Sequence, residues 1–126
     1  MDLTNTDAGR WAETIAASFL ALGGYRIVER NFRYSRLEID ILARRDDVLA
    51  VVEVKFRRRY QKGGAVGAVS PRKQRDLETA AVGYLQASGL RGVRVRFDVV
   101  VLEAAERSLV VRHLPGAFGA TGRYRA

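Results

Sequence analysis

Four charged residues on two apolar segments carry the chemistry of this chain. They are Glu38 and Asp40 in Leu37-Glu38-Ile39-Asp40-Ile41-Leu42, and Glu53 and Lys55 in Ala50-Val51-Val52-Glu53-Val54-Lys55. Both segments read as β-strands, and the Arg45-Asp46-Asp47-Val48 turn between them predicts a hairpin. Unpaired charge in a core is expensive, so something must compensate these side chains. If Asp46 and Asp47 form a two-residue loop, Arg45 faces Val48, and the register sets Asp40 against Glu53 and Glu38 against Lys55. Alternation then places all four on one face of the sheet. An odd-length loop would put Asp40 and Glu53 on opposite faces and dissolve the pair.

Directly opposed residues have Cβ atoms roughly 5 Å apart. Two carboxylates held that close repel each other, and a hard divalent cation with oxygen ligands relieves the repulsion. Asp40 and Glu53 are therefore candidate ligands for Mg²⁺ or Mn²⁺, with the backbone carbonyl of Val54 as a third. Phosphodiester hydrolysis needs such a metal to polarise the phosphate and activate water, and further positive charge to steady the developing oxyanion. Lys55 would orient or activate that water. Glu38 is either another ligand or the ion-pair partner of Lys55, with pairing the stronger reading. The competing reading of all four is a solvated charge ladder or a binding surface. His113 reads as a satisfied strand histidine, and Asp98 as structural or the partner of a nearby arginine.

Charge supplies a second clue. The 126 residues carry a net charge of +8. Lys55, Arg57, Arg58, Arg59, Lys62, Arg72, Lys73 and Arg75 follow one another with no acid among them. Such a block beside a metal site suits a polyanion, so Arg57, Arg58, Arg59, Lys62, Arg72, Lys73 and Arg75 are candidate nucleic-acid contacts. A solvated, Arg-rich surface set by genome composition is the plain alternative. Arg72, Lys73 and Arg75 also fall in the first turn of a helix, where the dipole disfavours cations. Either an external anion is expected there, or Asp76 and Glu78 neutralise the turn.

The elements that must hold these residues follow from pattern. Asn5, Thr6 or Asp7 caps a first helix that runs to about Leu22, with Trp11, Ile15, Phe19 and Leu22 as its apolar stripe. That stripe leaves Glu13 facing solvent. Gly23-Gly24 ends the helix, and a strand from Tyr25 to Phe32 leads into the hairpin. Arg57 to Gly67 reads as a basic loop with Tyr60 available for stacking. Ser70-Pro71 opens a second helix that turns Leu77, Ala80, Ala81, Tyr84 and Leu85 inward. Val93 to Glu103 and Ser108 to Leu114 are strands. The order α-β-β-β-α-β-β predicts an α/β sandwich of a mixed sheet and two helices, one domain over 1–114, with a basic, loosely ordered tail over 115–126.

The chain has no cysteine, which excludes disulfides and thiolate metal sites. No apolar run approaches the roughly 20 residues of a membrane span. Met1 to Arg10 is polar, without the hydrophobic region of a signal peptide, and a cytoplasmic protein is expected.

Taken together, the motifs resemble those of the YraN-like family of small bacterial proteins, related to archaeal Holliday-junction resolvases within the PD-(D/E)xK nuclease superfamily. The resemblance covers about Gly9 to Leu102. It rests on Gly9 through Glu13-x-x-Ala16, Gly24-Tyr25, Asn31-Phe32-Arg33, Glu38-Ile39-Asp40-Ile41, Val52-Glu53-Val54-Lys55, Lys73 and Arg96-Phe97-Asp98. It implies a restriction-endonuclease-like sandwich, a central mixed sheet flanked by helices with the active site at one sheet edge. It implies that Asp40, Glu53 and Lys55 are the acid, acid and lysine of that site, and that Glu13 supplements the metal ligands, against the helix pattern. A homodimer is implied as well. Two departures stand out: Leu37 replaces the glycine usual before Glu-Ile-Asp, and no proline precedes Asp40.

Three functions remain open at this point. The first is a metal-dependent endonuclease on DNA, ahead of RNA, with branched or recombination intermediates as substrates. The second is a nucleic-acid-binding module that keeps the fold without cleaving. The third is an interaction protein whose arginines serve an acidic partner.

Overall fold

Antiparallel hairpins and one parallel crossover build the sheet of this protein. The computed structural model describes residues 5–59 and 68–119. The elements are α1 (Asn5–Leu22), β1 (Arg26–Tyr34), β2 (Leu37–Arg45), β3 (Val48–Arg58), α2 (Pro71–Ser88), β4 (Arg94–Ala104) and β5 (Leu109–Phe118). The strands lie in the order β1-β2-β3-β4-β5, with β3 and β4 parallel and the other pairs antiparallel. The mixed α/β sandwich expected from the sequence is therefore the fold.

Alternation along β3 separates two cores. Ala50 and Val52 pack with Ala12, Ala16 and Leu20 of α1, while Leu49 and Val51 pack with Leu77, Ala80, Ala81 and Tyr84 of α2. Each helix thus covers one face of the sheet. Ser70 caps α2 by accepting from the Lys73 N–H at 3.1 Å, and Gly89 closes the helix in the left-handed conformation. No described helix is long and apolar enough to cross a membrane.

The face of α1 differs from the one its aromatic residues suggest. Trp11 and Phe19 are each 39% exposed and Leu22 is 88% exposed, whereas Ala12, Ala16 and Leu20 are buried. Two alanines let the helix backbone approach the sheet closely, and the bulky stripe is displaced to the flank, where Trp11 meets Phe56 edge-on. This rotation turns Glu13, the neighbour of Ala12, toward the sheet instead of away from it.

Element ends also moved. The parallel ladder continues to Arg58 opposite Ala104, so Arg57 and Arg58 belong to β3 and not to a loop. β5 reaches Phe118, whose ring stacks on Phe97, four residues beyond the end at Leu114. Residues 60–67 of the basic loop, with Tyr60 and Lys62, lie outside the described residues, as do 120–126.

Candidate metal centre

The β2–β3 hairpin closes on a two-residue turn: Arg45 faces Val48, and Asp46 takes the positive φ that tight hairpin turns require. From there the ladder runs to Ile41 opposite Val52 and stops. The next residue, Asp40, replaces the backbone bond with its side chain, whose Oδ2 accepts the Val54 N–H at 2.8 Å. A strand residue's N–H and C=O point to the same side, so the Val54 carbonyl faces this same opening between β2 and β3.

Asp40 also marks a break in the pleat. Ile41 packs in the α1 core, yet Ile39, two residues earlier, packs in the α2 core. Strict alternation would keep them together. The neighbouring strand breaks at the same level: Asn31, between the pairs Arg30–Ile41 and Phe32–Ile39, has φ 55°. Asparagine tolerates this conformation better than most residues. Because both strands reverse together, Glu38 and Asp40 swing toward α1, while Glu53 stays on the α2 side with Lys73. The single shared face expected from simple alternation is therefore corrected to an opening lined from both sides of the sheet.

Carboxylates converge there. One oxygen each of Glu13, Glu38 and Asp40 lie within 4.8 Å of one another. Glu53 approaches Asp40 from β3. Burial first, then its hydrogen-bonding contact with Asp40 and that residue's charge, push Glu53 up to about 8, against the opposing pull of Lys73. Burial and the charge of Asp40 likewise raise Glu13, while Asn31 and Arg30 draw it down. Four acids gather where β2 parts from β3, and hard oxygen donors are the ligands of Mg²⁺ and Mn²⁺.

Cations surround the acids. Arg30 Nη2 lies 3.9 Å from Glu13, Arg33 Nε 3.4 Å from Glu38, and Lys73 Nζ 3.5 Å from Glu53. Glu38 thus pairs with Arg33 and not with Lys55, which is half-buried and makes no salt bridge to a described residue. Lys73 stands at the site itself, and Arg72 and Arg75 are exposed beside it on α2. Arg57 lies 3.8 Å from Glu103, and Arg58 and Arg59 are exposed. The sequence offered Asn31 and Arg33 only as part of a motif, with no role at the site, and gave no sign of Arg30. An asparagine inside a strand was the available signal, because its side chain and its positive φ both suit a corner.

A second polar cluster is built on β4 and β5. Asp98 is 0% exposed and accepts two bonds from Arg96 at 2.8 Å, one from the Gly116 N–H at 3.0 Å, and meets His113 Nε2 at 2.8 Å. Burial raises this acid, but these partners prevail and hold it below the usual carboxylate range. Arg96 also bonds the Tyr25 hydroxyl, so the cluster ties β4 and β5 to the end of α1. Asp98 is thus the partner of Arg96, and His113 is a satisfied strand histidine, in line with the reading of their sequence context.

A family model described as "Uncharacterised protein family UPF0102" matches residues 12–102. A UPF0102 protein of Chlorobaculum parvum is 45% identical over 116 residues, covering 87% of this chain and 90% of that protein. One from Prosthecochloris aestuarii is 40% identical over 126 residues, 95% of this chain and 99% of its own. One from Syntrophotalea carbinolica is 41% identical over 114 residues, 90% and 93% respectively. Their names state no activity.

Proposed function

We propose that this chain, which belongs to the uncharacterised protein family UPF0102, hydrolyses phosphodiester bonds in DNA with the help of a divalent metal ion. The observation that carries the reading is the convergence of Glu13, Glu38 and Asp40, with Glu53 against Asp40, where β2 parts from β3. Four oxygen donors and no sulfur fit Mg²⁺ or Mn²⁺; burial first, and then the charge of Asp40, raise the Glu53 and Glu13 carboxyls, and such an ion would relieve the second of these.

Asp40, Glu53, Glu13 and the Val54 carbonyl would hold the ion, with Glu38 as a further donor. When bound, it would polarise the phosphate and make water nucleophilic near neutral pH. Lys55 follows Glu53 by two residues and so projects from the same side of β3. Its ammonium group would orient the attacking water and steady negative charge as the phosphorus gains an oxygen. Arg58, Arg59, Arg72 and Arg75 would grip flanking phosphates; Arg57, Lys62 and Lys73 complete the basic set read from the sequence. Branched DNA is the substrate suggested by kinship to junction resolvases.

Wild type and Asp40→Ala should be compared on labelled four-way junction, duplex and single-stranded DNA with Mg²⁺, Mn²⁺ or chelator. Metal-dependent cleavage by wild type, lost in the variant by at least about 100-fold, is the expected result. Tight, salt-sensitive binding without cleavage under any metal would sink the nuclease and leave a binding module on an inherited scaffold.

A further inference from the structure

Three acids of the site are each met by a basic side chain from β1 or α2: Glu13 by Arg30, Glu38 by Arg33 and Glu53 by Lys73. Asp40 differs, since its Oδ2 is engaged by a backbone N–H. The cations also differ among themselves. Arg30 Nη2 is bonded to Thr14 Oγ1 at 3.2 Å, which ties it to α1. The Arg33 and Lys73 side chains are 77% and 43% exposed. Among the described residues, each has a single ion-pair partner, the site carboxylate.

We infer that Arg33 and Lys73 are displaceable counter-ions, which pair with Glu38 and with the ionised form of Glu53 while the site lacks metal and compete with the metal for those carboxylates. The inference rests on the metal-dependent reading above. A dication and an ammonium or guanidinium group within about 4 Å of one carboxylate repel each other, so entry of one favours departure of the other. Departure is easy here, because long side chains at the surface hold such pairs weakly. The Lys73 backbone is fixed by the Ser70 cap, so only its flexible stem need move. The two freed heads would lie on opposite flanks of the opening. Lys73 stands beside Arg72 and Arg75 on α2, and Arg33 near Arg36 at the β1–β2 turn. A substrate phosphate placed between them would meet positive charge from both sides, so metal and polyanion would each favour the other's binding.

The test is Mn²⁺ titration of the full chain at pH 8.5, above the value at which Glu53 releases its proton, followed by electron paramagnetic resonance without nucleic acid. Lys73→Met and Arg33→Met should each tighten Mn²⁺ binding by about three- to ten-fold. Lys73→Arg should stay near wild type. Arg94→Met removes a comparable surface pair, with Asp47 at the far turn, and should change nothing, which separates local competition from loss of net charge. Unchanged or weakened binding in both methionine variants, with Mn²⁺ still bound by wild type and lost in Asp40→Ala, overturns the inference and leaves the metal site standing. Tightening in Arg94→Met equal to that in Lys73→Met and Arg33→Met also overturns it. No Mn²⁺ binding by wild type overturns both readings.

Discussion

Glu53 concentrates the conflict between folding and chemistry. Its carboxyl is held up to about 8 by burial and by Asp40, against an ordinary value of 4.5. The folded chain therefore keeps a proton there that the unfolded chain releases between those two values. Its favourable contribution is complete below about pH 4.5 and is lost as pH rises through about 8. In chelator, the thermal midpoint of wild type should fall between pH 5 and 8.5. Glu53→Gln, which cannot ionise, should escape most of that fall and exceed wild type by about 1–2 kcal/mol at pH 8.5. Saturating Mg²⁺ should lift wild type at pH 8.5 and leave Glu53→Gln largely unmoved. Parallel pH curves for the two proteins in chelator would show that Glu53 does not carry the strain. Residue identity made Asp40 and Glu53 legible in the sequence, because acids on apolar strands need a partner. Glu13 was not legible from pattern, since the choice between aromatic and alanine faces of α1 hides its direction.

The elements explain where that legibility stops. The two-residue turn and the register from Arg45 to Ile41 followed from the sequence because turn geometry determines pairing. The joint reversal of β1 and β2 at Asn31 and Asp40 did not, because a period-two pattern cannot report where the pleat inverts. A close approach between β1 and α2 holds the reversed segment down. Tyr34, 40% exposed, lays its ring against Gly83, and a Cβ at that position would overlap the ring. Gly83 lies mid-helix, where alanine alone would favour the helix by about 0.5–1 kcal/mol. Gly83→Ala should nevertheless destabilise the protein by about 1–3 kcal/mol in urea denaturation, as overpacking does. In a Tyr34→Ala background the same substitution should become neutral or stabilising. A penalty of equal size in both backgrounds would assign the glycine's role to the helix itself and not to the strand above it.

At the scale of the whole molecule, the proposed contact with a polyanion rests on where the charge is placed. The net charge of +8 is not spread evenly, for the block from Lys55 to Arg75 carries eight cations without an acid. The fold sets part of this block, the end of β3 and the first turn of α2, beside the acidic opening. Arg72 and Arg75 are exposed on that turn, where the helix dipole opposes cations and an external anion would offset the cost. Phosphate contacts release counter-ions, so affinity falls steeply with salt, with a slope that counts the phosphates neutralised. Binding of a labelled duplex in chelator, measured from about 50 to 200 mM salt, should show such a slope. Arg72→Gln with Arg75→Gln should reduce it by about two and weaken binding to unrelated sequences alike, since contacts to phosphate carry no sequence information. Arg91→Gln with Arg107→Gln removes the same charge from exposed positions beyond the basic block and should leave the slope near that of wild type. Equal losses in the two double variants would reduce the basic block to bulk charge. A shallow slope in wild type itself would turn the search toward an acidic protein partner.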